Sequence, residues 1–452
     1  MIKGIRQMTP FSIVLLAISF VMSISQSMMT TAYPILMRSF SVNAAAVQWL
    51  TTGFMVMMTL VMPLSPWLLD NISLRKLLNI IVGIFLTGTL LAMVTPNFGG
   101  IIVGRLLEGL AVGINFPIFQ SVILENTPDQ KRGVTMGVVG LVMGSALAVG
   151  PILSGIILQW GTWRLLFAFF FIVLLALILI LQTKIDNLHT LNPSKFDFWS
   201  AIMLVGFGGV LYAISIIPSV GKTWNWGEWI LLLLVSLAVL AFFVYRQLKL
   251  QEPFLDLSVF GYHGYLPAML LTGISYSGLI TATVLMPLFY QRIFGLAPLW
   301  SGLLMVPAAV FLSLLNPRAG ALLNKIGLKN LVYIGTTMMI LGYILLSTLG
   351  THSIWIGLLA AMSLEGGNAF IMMPAVTAAN NVLPDKLVPH GTAIITTMRQ
   401  VIGSASIVVA TILITDFNKT LSYGAALSST TTWFILIPLL GLLLATRIKA
   451  KK

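Results

Sequence analysis

Residues 100–123, GIIVGRLLEGLAVGINFPIFQSVI, form an apolar run in which only Arg105 and Glu108 are charged. About 20 apolar residues are enough to cross a bilayer as an α-helix. Backbone polar groups in hydrocarbon must be paired within the protein, which allows only helices or closed barrels of shorter, alternating strands. The stretch therefore predicts a helical membrane span.

Similar runs cover the rest of the chain, which is 58% hydrophobic and only 8% charged. A soluble domain has about 25% charged residues. The first run is too long for the core of a signal peptide, so we expect a retained helix there. The sequence predicts an all-α polytopic membrane protein with fourteen spans, at 11–36, 45–68, 76–95, 100–123, 134–158, 164–182, 198–219, 227–248, 267–290, 300–322, 329–349, 353–378, 391–414 and 430–447.

The basic residues behind the net charge of +13 are unevenly distributed between the two sides of the predicted topology. With the N-terminus cytoplasmic, 17 lysines and arginines fall on the inner side and five on the outer side, namely Arg38, Arg164, Lys222, Arg292 and Lys419. Such an inner excess is typical of membrane proteins. We therefore expect a multi-pass protein of a plasma membrane, bacterial in origin, with both termini cytoplasmic and no nucleic-acid partner.

The chain also repeats itself. Pro63, Asp70 and Arg75 recur 254 residues later as Pro317, Asn324 and Lys329. The series Leu107-Glu108-Gly109, Pro117, Pro128-Asp129 and Gly133 recurs at shifts of 256 to 258 as Leu364-Glu365-Gly366, Pro374, Pro384-Asp385 and Gly391. These matches predict two six-helix bundles, a first repeat (1–190) and a second repeat (260–452), joined by an insert of two helices (191–259). Parallel repeats of this kind are typical of transporters that bind substrate between them at the midplane.

Three motifs in the first repeat resemble those of the major facilitator superfamily and, within it, the fourteen-helix drug:proton antiporters of the multidrug efflux type. Asp70, Arg75 and Lys76 match the acid and bases of the loop signature G-x-L-x-D-x-x-G-R-[RK]-[RK]. Arg105, Glu108, Gly109 and Gly113 are similar to R-x-x-[QE]-G-x-G-x-G. Gly140, Gly144, Gly150, Pro151 and Gly155 resemble the antiporter motif of helix 5, with Ser154 in place of one glycine.

The resemblance implies alternating access, with the Asp70, Arg75 and Lys76 group as a conformational latch and the helix 5 motif as a bend between repeats. The alternatives are a merely solvated loop and a simple close-packed kink. One departure concerns helix 1, where such antiporters carry an acid nine residues before an Ala-x-Pro proline. Here the proline is Pro34 and the position nine residues earlier is Ser25.

Ionisable residues in the middle of a membrane are functional candidates, because each costs roughly 2.5–3.5 kcal/mol to insert. Arg105 and Glu108 are three residues apart and share a helix face, so they can pair. The alternative for Glu108 is a structural ion pair, and for Glu365 a hydrogen bond to helix 13. We take Glu108, Arg105, Glu365 and Arg399 as candidates for proton coupling or substrate binding, and Tyr33, Phe116, Tyr276 and Tyr290 as weaker pocket candidates.

Catalysis is poorly supported by the sequence. There is no cysteine, the four histidines lack metal-ligand spacing, and no phosphate-binding glycine loop occurs. We expect a protein that is not an enzyme, has no cofactor or metal, acts as a monomer, and exports apolar or cationic small molecules in exchange for protons. The alternatives are a lipid or metabolite exporter, an uncoupled facilitator, and a non-transporting membrane sensor.

Overall fold

The structure is a computed structural model that describes residues 10–42, 44–182, 191–217, 220–221, 224–348 and 350–448. Within these ranges the chain forms seventeen α-helices and no strand. The bounds of the helices are α1 Pro10–Phe40, α2 Ala44–Val61, α3 Ser65–Asn71, α4 Leu74–Val94, α5 Phe98–Glu125, α6 Asp129–Trp160, α7 Arg164–Gln182, α8 Phe198–Met203, α9 Val205–Ile216, α10 Trp226–Lys249, α11 Tyr265–Ile293, α12 Pro298–Leu303, α13 Val306–Thr348, α14 Ile354–Asn381, α15 Val388–Phe417, α16 Tyr423–Phe434 and α17 Leu436–Thr446. The predicted all-α class is confirmed.

The described helices and the hydropathy of the sequence give different numbers of membrane spans. Eleven segments of the described chain are long and apolar enough to cross a membrane, or twelve if a bent pair is joined. One of them, Trp300–Thr348, has 49 residues and contains Gly327, whose φ of 76° and ψ of 166° break the helical path of α13. This break lies between the predicted spans at 300–322 and 329–349. The count of fourteen stays a prediction.

The two repeats meet along a seam of small residues between α6 and α13. A Cβ added to Gly137 would lie 2.6 Å from the carbonyl oxygen of Asn316, and one added to Gly133 would overlap the carbonyl oxygen of Gly320. Side chains do not fit between backbones at that separation, so glycine is required at both positions. Close approach through small residues is the usual means by which helices associate in membranes.

The seam is tightest at one end and loosens along α6. The nearest atom to an added Cβ lies 2.7 Å away at Gly140 and 3.1 Å away at Gly144, and at Gly155 nothing lies within 4 Å. Gly133 belongs to the first turns of α6, on the side predicted to be cytoplasmic. The two repeats are therefore in closest contact at that side.

The insert lies beside the two repeats. A Cβ added to Gly208 of α9 would lie 3.0 Å from Leu60 of α2, the Trp49 and Tyr212 rings are 5.7 Å apart, and α9 also contacts α15. The next helix, α10, packs on α8 and α9. Only 11% of the residues in its apolar stretch are buried. The insert thus touches both repeats through α9 and exposes α10.

A charged pair ties the ends of the insert together. The carboxylate of Asp197 accepts hydrogen bonds of 2.7 Å from both Nε and Nη2 of Arg246, and Ser200 also donates to it. The hydrogen bonds from Arg246 hold the pKa of Asp197 below its usual value. Such partly exposed pairs contribute at most about 1 kcal/mol.

We expect the Asp197 pair to weaken in acid. A carboxylate whose pKa is lower in the folded state stabilises above its unfolded pKa of about 3.9 and loses that contribution as pH falls through the folded value. Hydrogen exchange protection of α8, corrected for intrinsic rates, should be up to about fivefold higher in wild type than in Asp197→Asn at pH 7. The difference should shrink as the pH falls below about 4, and a difference that stays constant in acid contradicts this account.

The seam makes a second prediction. Gly137→Ala should prevent closure of the predicted cytoplasmic side and abolish transport, whereas Gly155→Ala on the same helix should be tolerated because its methyl group meets open space. Surface expression and transport of a fluorescent cation would be measured for both variants. Equal activity of the two would mean that the seam is not a moving contact.

Candidate functional site

The first charged cluster lies where α5 is pressed against its neighbours. A Cβ on Gly104 would lie 2.6 Å from the carbonyl oxygen of Gly88 in α4, and one on Gly109 would overlap the carbonyl oxygen of Phe54 in α2. These contacts bring Thr89 and Phe54 against the face of α5 that carries Arg105 and Glu108. Both charged side chains are fully buried.

Arg105 and Glu108 form an ion pair through Nη1 and Oε2, as their spacing allows. Thr89 donates a 2.7 Å hydrogen bond to Glu108 Oε1. The Arg105 guanidinium lies 4.3 Å from the centre of the Phe54 ring, and its Nε donates to the carbonyl oxygen of Leu50 at 3.2 Å. Both charges are thus compensated within the first repeat.

Ser25 completes this cluster. Its hydroxyl lies 3.0 Å from Arg105 Nη1 and 3.2 Å from Glu108 Oε2. The position at which related antiporters carry an acid in helix 1 therefore touches both members of the ion pair. Glu108 of α5 thus has its carboxylate within hydrogen-bond reach of the Ser25 side chain. The sequence contained both facts, but only the structure brings them together.

Glu365, the counterpart of Glu108 in the second repeat, has no such partners. Its side chain is 3% exposed, Oε2 is buried, and it makes no hydrogen bond or ion pair with any described residue. Gly367, two residues along α14, packs its backbone on Gly335 of α13. Asn368 accepts a 3.1 Å hydrogen bond from Ser275 of α11. The alternative of a hydrogen bond from Glu365 to the thirteenth predicted helix is not seen.

Arg399 is the fourth ionisable candidate and lies in α15. Its guanidinium stands 5.3 Å from the centre of the Tyr276 ring of α11. The neighbouring Gln400 reaches toward Met58 of the first repeat, with 3.9 Å between Nε2 and the sulfur atom. Ser275 and Tyr276 are adjacent in α11, so this helix contacts Asn368 on α14 and Arg399 on α15 at one depth.

The three residues of the suggested latch have different surroundings. Asp70 faces His390 of the second repeat, with 3.9 Å between the carboxylate and Nε2. Arg75 instead donates hydrogen bonds to the side chain and backbone of Gln182 in its own repeat. Lys76 is exposed. Asp70 is therefore the member of this group that bridges the repeats.

Two further bridges at this side were not singled out from the sequence. Arg132 pairs with Asp129 at 2.9 Å and with Asp385 of the second repeat at 3.2 Å. Asn324, the counterpart of Asp70, donates to the backbone oxygen of Gln130 at the start of α6. The repeated Pro-Asp pairs were a signal for the first of these contacts, because both aspartates surround one arginine.

The glycines of the helix 5 motif contact different helices. Gly140 and Gly144 face α13, whereas an added Cβ on Gly150 would overlap the hydroxyl of Ser27 in α1. The side chain of Pro151 lies outside the described part of the structure. The pocket candidates are dispersed: Tyr33 hydrogen-bonds to Thr51, and Phe116 packs on Phe119. Tyr290 packs on Phe289. In the described part of the chain, none of these three rings packs on the ring of Tyr276.

Comparison with known proteins decides the family. The sequence profile of the Major Facilitator Superfamily matches residues 15–408. The chain belongs to this superfamily. It is thus a membrane transporter of a family whose members handle small-molecule substrates and are generally not enzymes.

Relatives of this transporter occur in bacteria. The lincomycin resistance protein LmrB of Listeria monocytogenes is 32% identical over 423 residues, which cover 92% of this chain and 89% of that protein. The uncharacterised transporter YcnB of Bacillus subtilis is 35% identical over 394 residues, covering 86% and 83%. The proton:xylose symporter XylE shares the fold, with a TM-score of 0.70, 15% identity and coverage of 98% and 96%.

The two intramembrane glutamates should respond differently to removal of their charge. Glu108→Gln leaves Arg105 buried without its carboxylate, and breaking a buried pair costs about 3–5 kcal/mol. Glu365→Gln removes no partner. We expect the apparent melting temperature in detergent, at one fixed heating rate, to fall markedly for Glu108→Gln and to be unchanged or raised for Glu365→Gln. The reverse order would contradict the assignment of a structural pair.

Proposed function

We propose that this transporter exports apolar or cationic small molecules across a bacterial plasma membrane in exchange for protons, and that Glu365 carries the exchanged proton. The observation that supports this role is the isolation of Glu365, which is buried in the middle of α14 without a hydrogen bond or ion pair. An isolated carboxylate is costly to ionise away from water. Its protonation therefore depends on which side of the membrane can reach it.

Alternating access converts that dependence into exchange. A protonated Glu365 favours the conformation in which the carboxyl group is enclosed, and substrate favours the other, so proton and substrate compete. For a neutral substrate exchanged one for one, each proton that moves inward releases about 2.3 kcal/mol per 100 mV, more than the 1.4 kcal/mol that a tenfold substrate gradient costs. For a monovalent cation the exchange is electroneutral and the pH gradient drives it. Glu108, paired with Arg105, would instead hold the first repeat together.

The export direction and substrate class rest on the relatives and on the antiporter-like helix 5. LmrB is named a lincomycin resistance protein. A transporter accounts most simply for resistance if it removes the toxic compound from the cell. We further propose that the protein works as a monomer with both termini cytoplasmic. The latch role belongs to Asp70 and His390, which join the repeats on the cytoplasmic side.

Transport in proteoliposomes tests the role of Glu365. Under an imposed pH gradient, Glu365→Gln should lose proton-driven accumulation of a fluorescent lipophilic cation by more than tenfold, while substrate-for-substrate exchange in the absence of a gradient persists. Glu252→Gln, which removes an exposed carboxylate from a loop, is the matched control. Wild-type accumulation should collapse with a protonophore.

Several outcomes would overturn this mechanism. Full proton coupling in Glu365→Gln would remove Glu365 from it, and full coupling in Glu108→Gln and in the double variant as well would remove both residues. Transport by wild type that is insensitive to the pH gradient and to the protonophore would indicate an uncoupled facilitator. Absence of transport for every cation tested, by protein that is folded, would contradict the substrate class.

A further inference from the structure

Arg399 stands close to the middle of the membrane. It lies in α15, a helix of 30 residues from Val388 to Phe417. With a rise of 1.5 Å per residue, its Cα is about 16 Å from the first residue of the helix and about 27 Å from the last. The side chain is 4% exposed. A guanidinium is charged at every physiological pH, so this charge persists at depth.

The surroundings of Arg399 differ from those of Arg105, another buried arginine on a spanning helix. Both stack on an aromatic ring, but Arg105 also has a carboxylate, a hydroxyl and backbone carbonyl groups around it. Arg399 makes no hydrogen bond or ion pair with any described residue, and its Nε and Nη1 are buried. The guanidinium carbon lies over the Tyr276 ring, and within the described part of the chain no acceptor meets the buried Nε–H and Nη1–H groups.

A buried arginine with unpaired N–H donors suits a planar anion. The N–H groups of a guanidinium form a fork that matches the two oxygens of a carboxylate, and charge-assisted pairs of this kind are about twice as strong as neutral ones. Leaving a buried charge unpaired is costly, so such a group in a membrane span is a candidate functional site at which a ligand supplies the partner. The next residue, Gln400, touches Met58 of the first repeat, which puts this part of α15 on the side facing the other repeat.

We propose that Arg399, stacked on Tyr276, binds a carboxylate of the transported molecule. This rests on the proposed export function and narrows its substrates to amphoteric compounds, in which a cationic or apolar body carries an acidic group. Glu365 lies on α14, another neighbour of α11, and its proton exchange is separate from the anion contact. The site thus combines an acid that exchanges protons with a fixed positive charge that orients the cargo.

Equilibrium binding to the purified protein in detergent tests the proposal without any gradient. The probes are a rhodamine dye with a free carboxylate and the methyl ester of the same dye, followed by fluorescence anisotropy. Wild type should bind the free acid about tenfold more tightly than the ester. Arg399→Gln should abolish that preference by weakening the acid alone, and Arg399→Lys should keep part of it. Arg292→Gln, at the exposed end of α11, should keep the full preference.

The possible results separate the two proposals. Equal binding of both dyes by wild type, an unchanged preference in Arg399→Gln, or an equal loss of both dyes in that variant would overturn the carboxylate site; the last result indicates a structural role. If Arg399→Gln does not fold, a reduced preference in the folded Arg399→Lys supports the site and full retention of the preference opposes it. A correct binding preference without proton-driven transport would refute the exchange mechanism and leave this site standing.

Discussion

Backbone contact between α6 and α13 is the constraint on which the arrangement of the two repeats depends. At Gly133 and Gly137 the helices approach so closely that even a methyl group would overlap a carbonyl oxygen of the other helix. In lipid there is no hydrophobic gain from hiding apolar side chains, so helices are held by close packing and by polar contacts. Here both operate at one end: glycines set the distance, and the bridges of Arg132, Asp70 and Asn324 lie beside them.

The two repeats share a pattern of residues but distribute their charges differently. In the first repeat the glutamate of the repeated Leu-Glu-Gly sequence is surrounded by Arg105, Thr89 and Ser25. In the second repeat the same position carries Glu365 without a partner, and the buried arginine lies on another helix, α15. One glutamate is thus paired within its bundle, and the other has no hydrogen bond or ion pair with the described residues.

Much of the fold could be predicted from the sequence because hydrocarbon imposes simple rules. Apolar runs of about 20 residues identify spans, and the shifts of 254 to 258 residues identify the repeats. The pairing of Arg105 with Glu108 follows from helical spacing alone. Of the contacts that bridge the repeats, the repeated Pro-Asp pairs were a signal for that of Arg132 with Asp385. The contact of Asp70 with His390 could not be predicted, because it joins positions more than 250 residues apart and no repeat marks it.

The candidate site shows the same division. Hydropathy and helix spacing identified Glu108, Glu365 and Arg399 as ionisable residues inside the membrane, where each costs free energy to insert. These rules could not show which of the three has a hydrogen-bond or ion-pair partner. That depends on helices distant in sequence, such as α1, whose Ser25 reaches the ion pair, and α11, whose Tyr276 lies under Arg399. The aromatic candidates were predicted by residue type alone, and Tyr276 is the one placed against a charged group. A single spacing rule cannot distinguish it from Tyr33 or Tyr290.

The position of α9 has a mechanical consequence. This helix touches α2 of the first repeat through Gly208 and Tyr212, and it also touches α15 of the second. Two rigid bodies that tilt against each other cannot both carry along a helix that leans on each of them. A tilt of one repeat against the other would therefore require α9 to slide over one of its two partners, and Gly208 on α9 presents a small surface to α2. An insert that touches both repeats would in that case limit how far they separate.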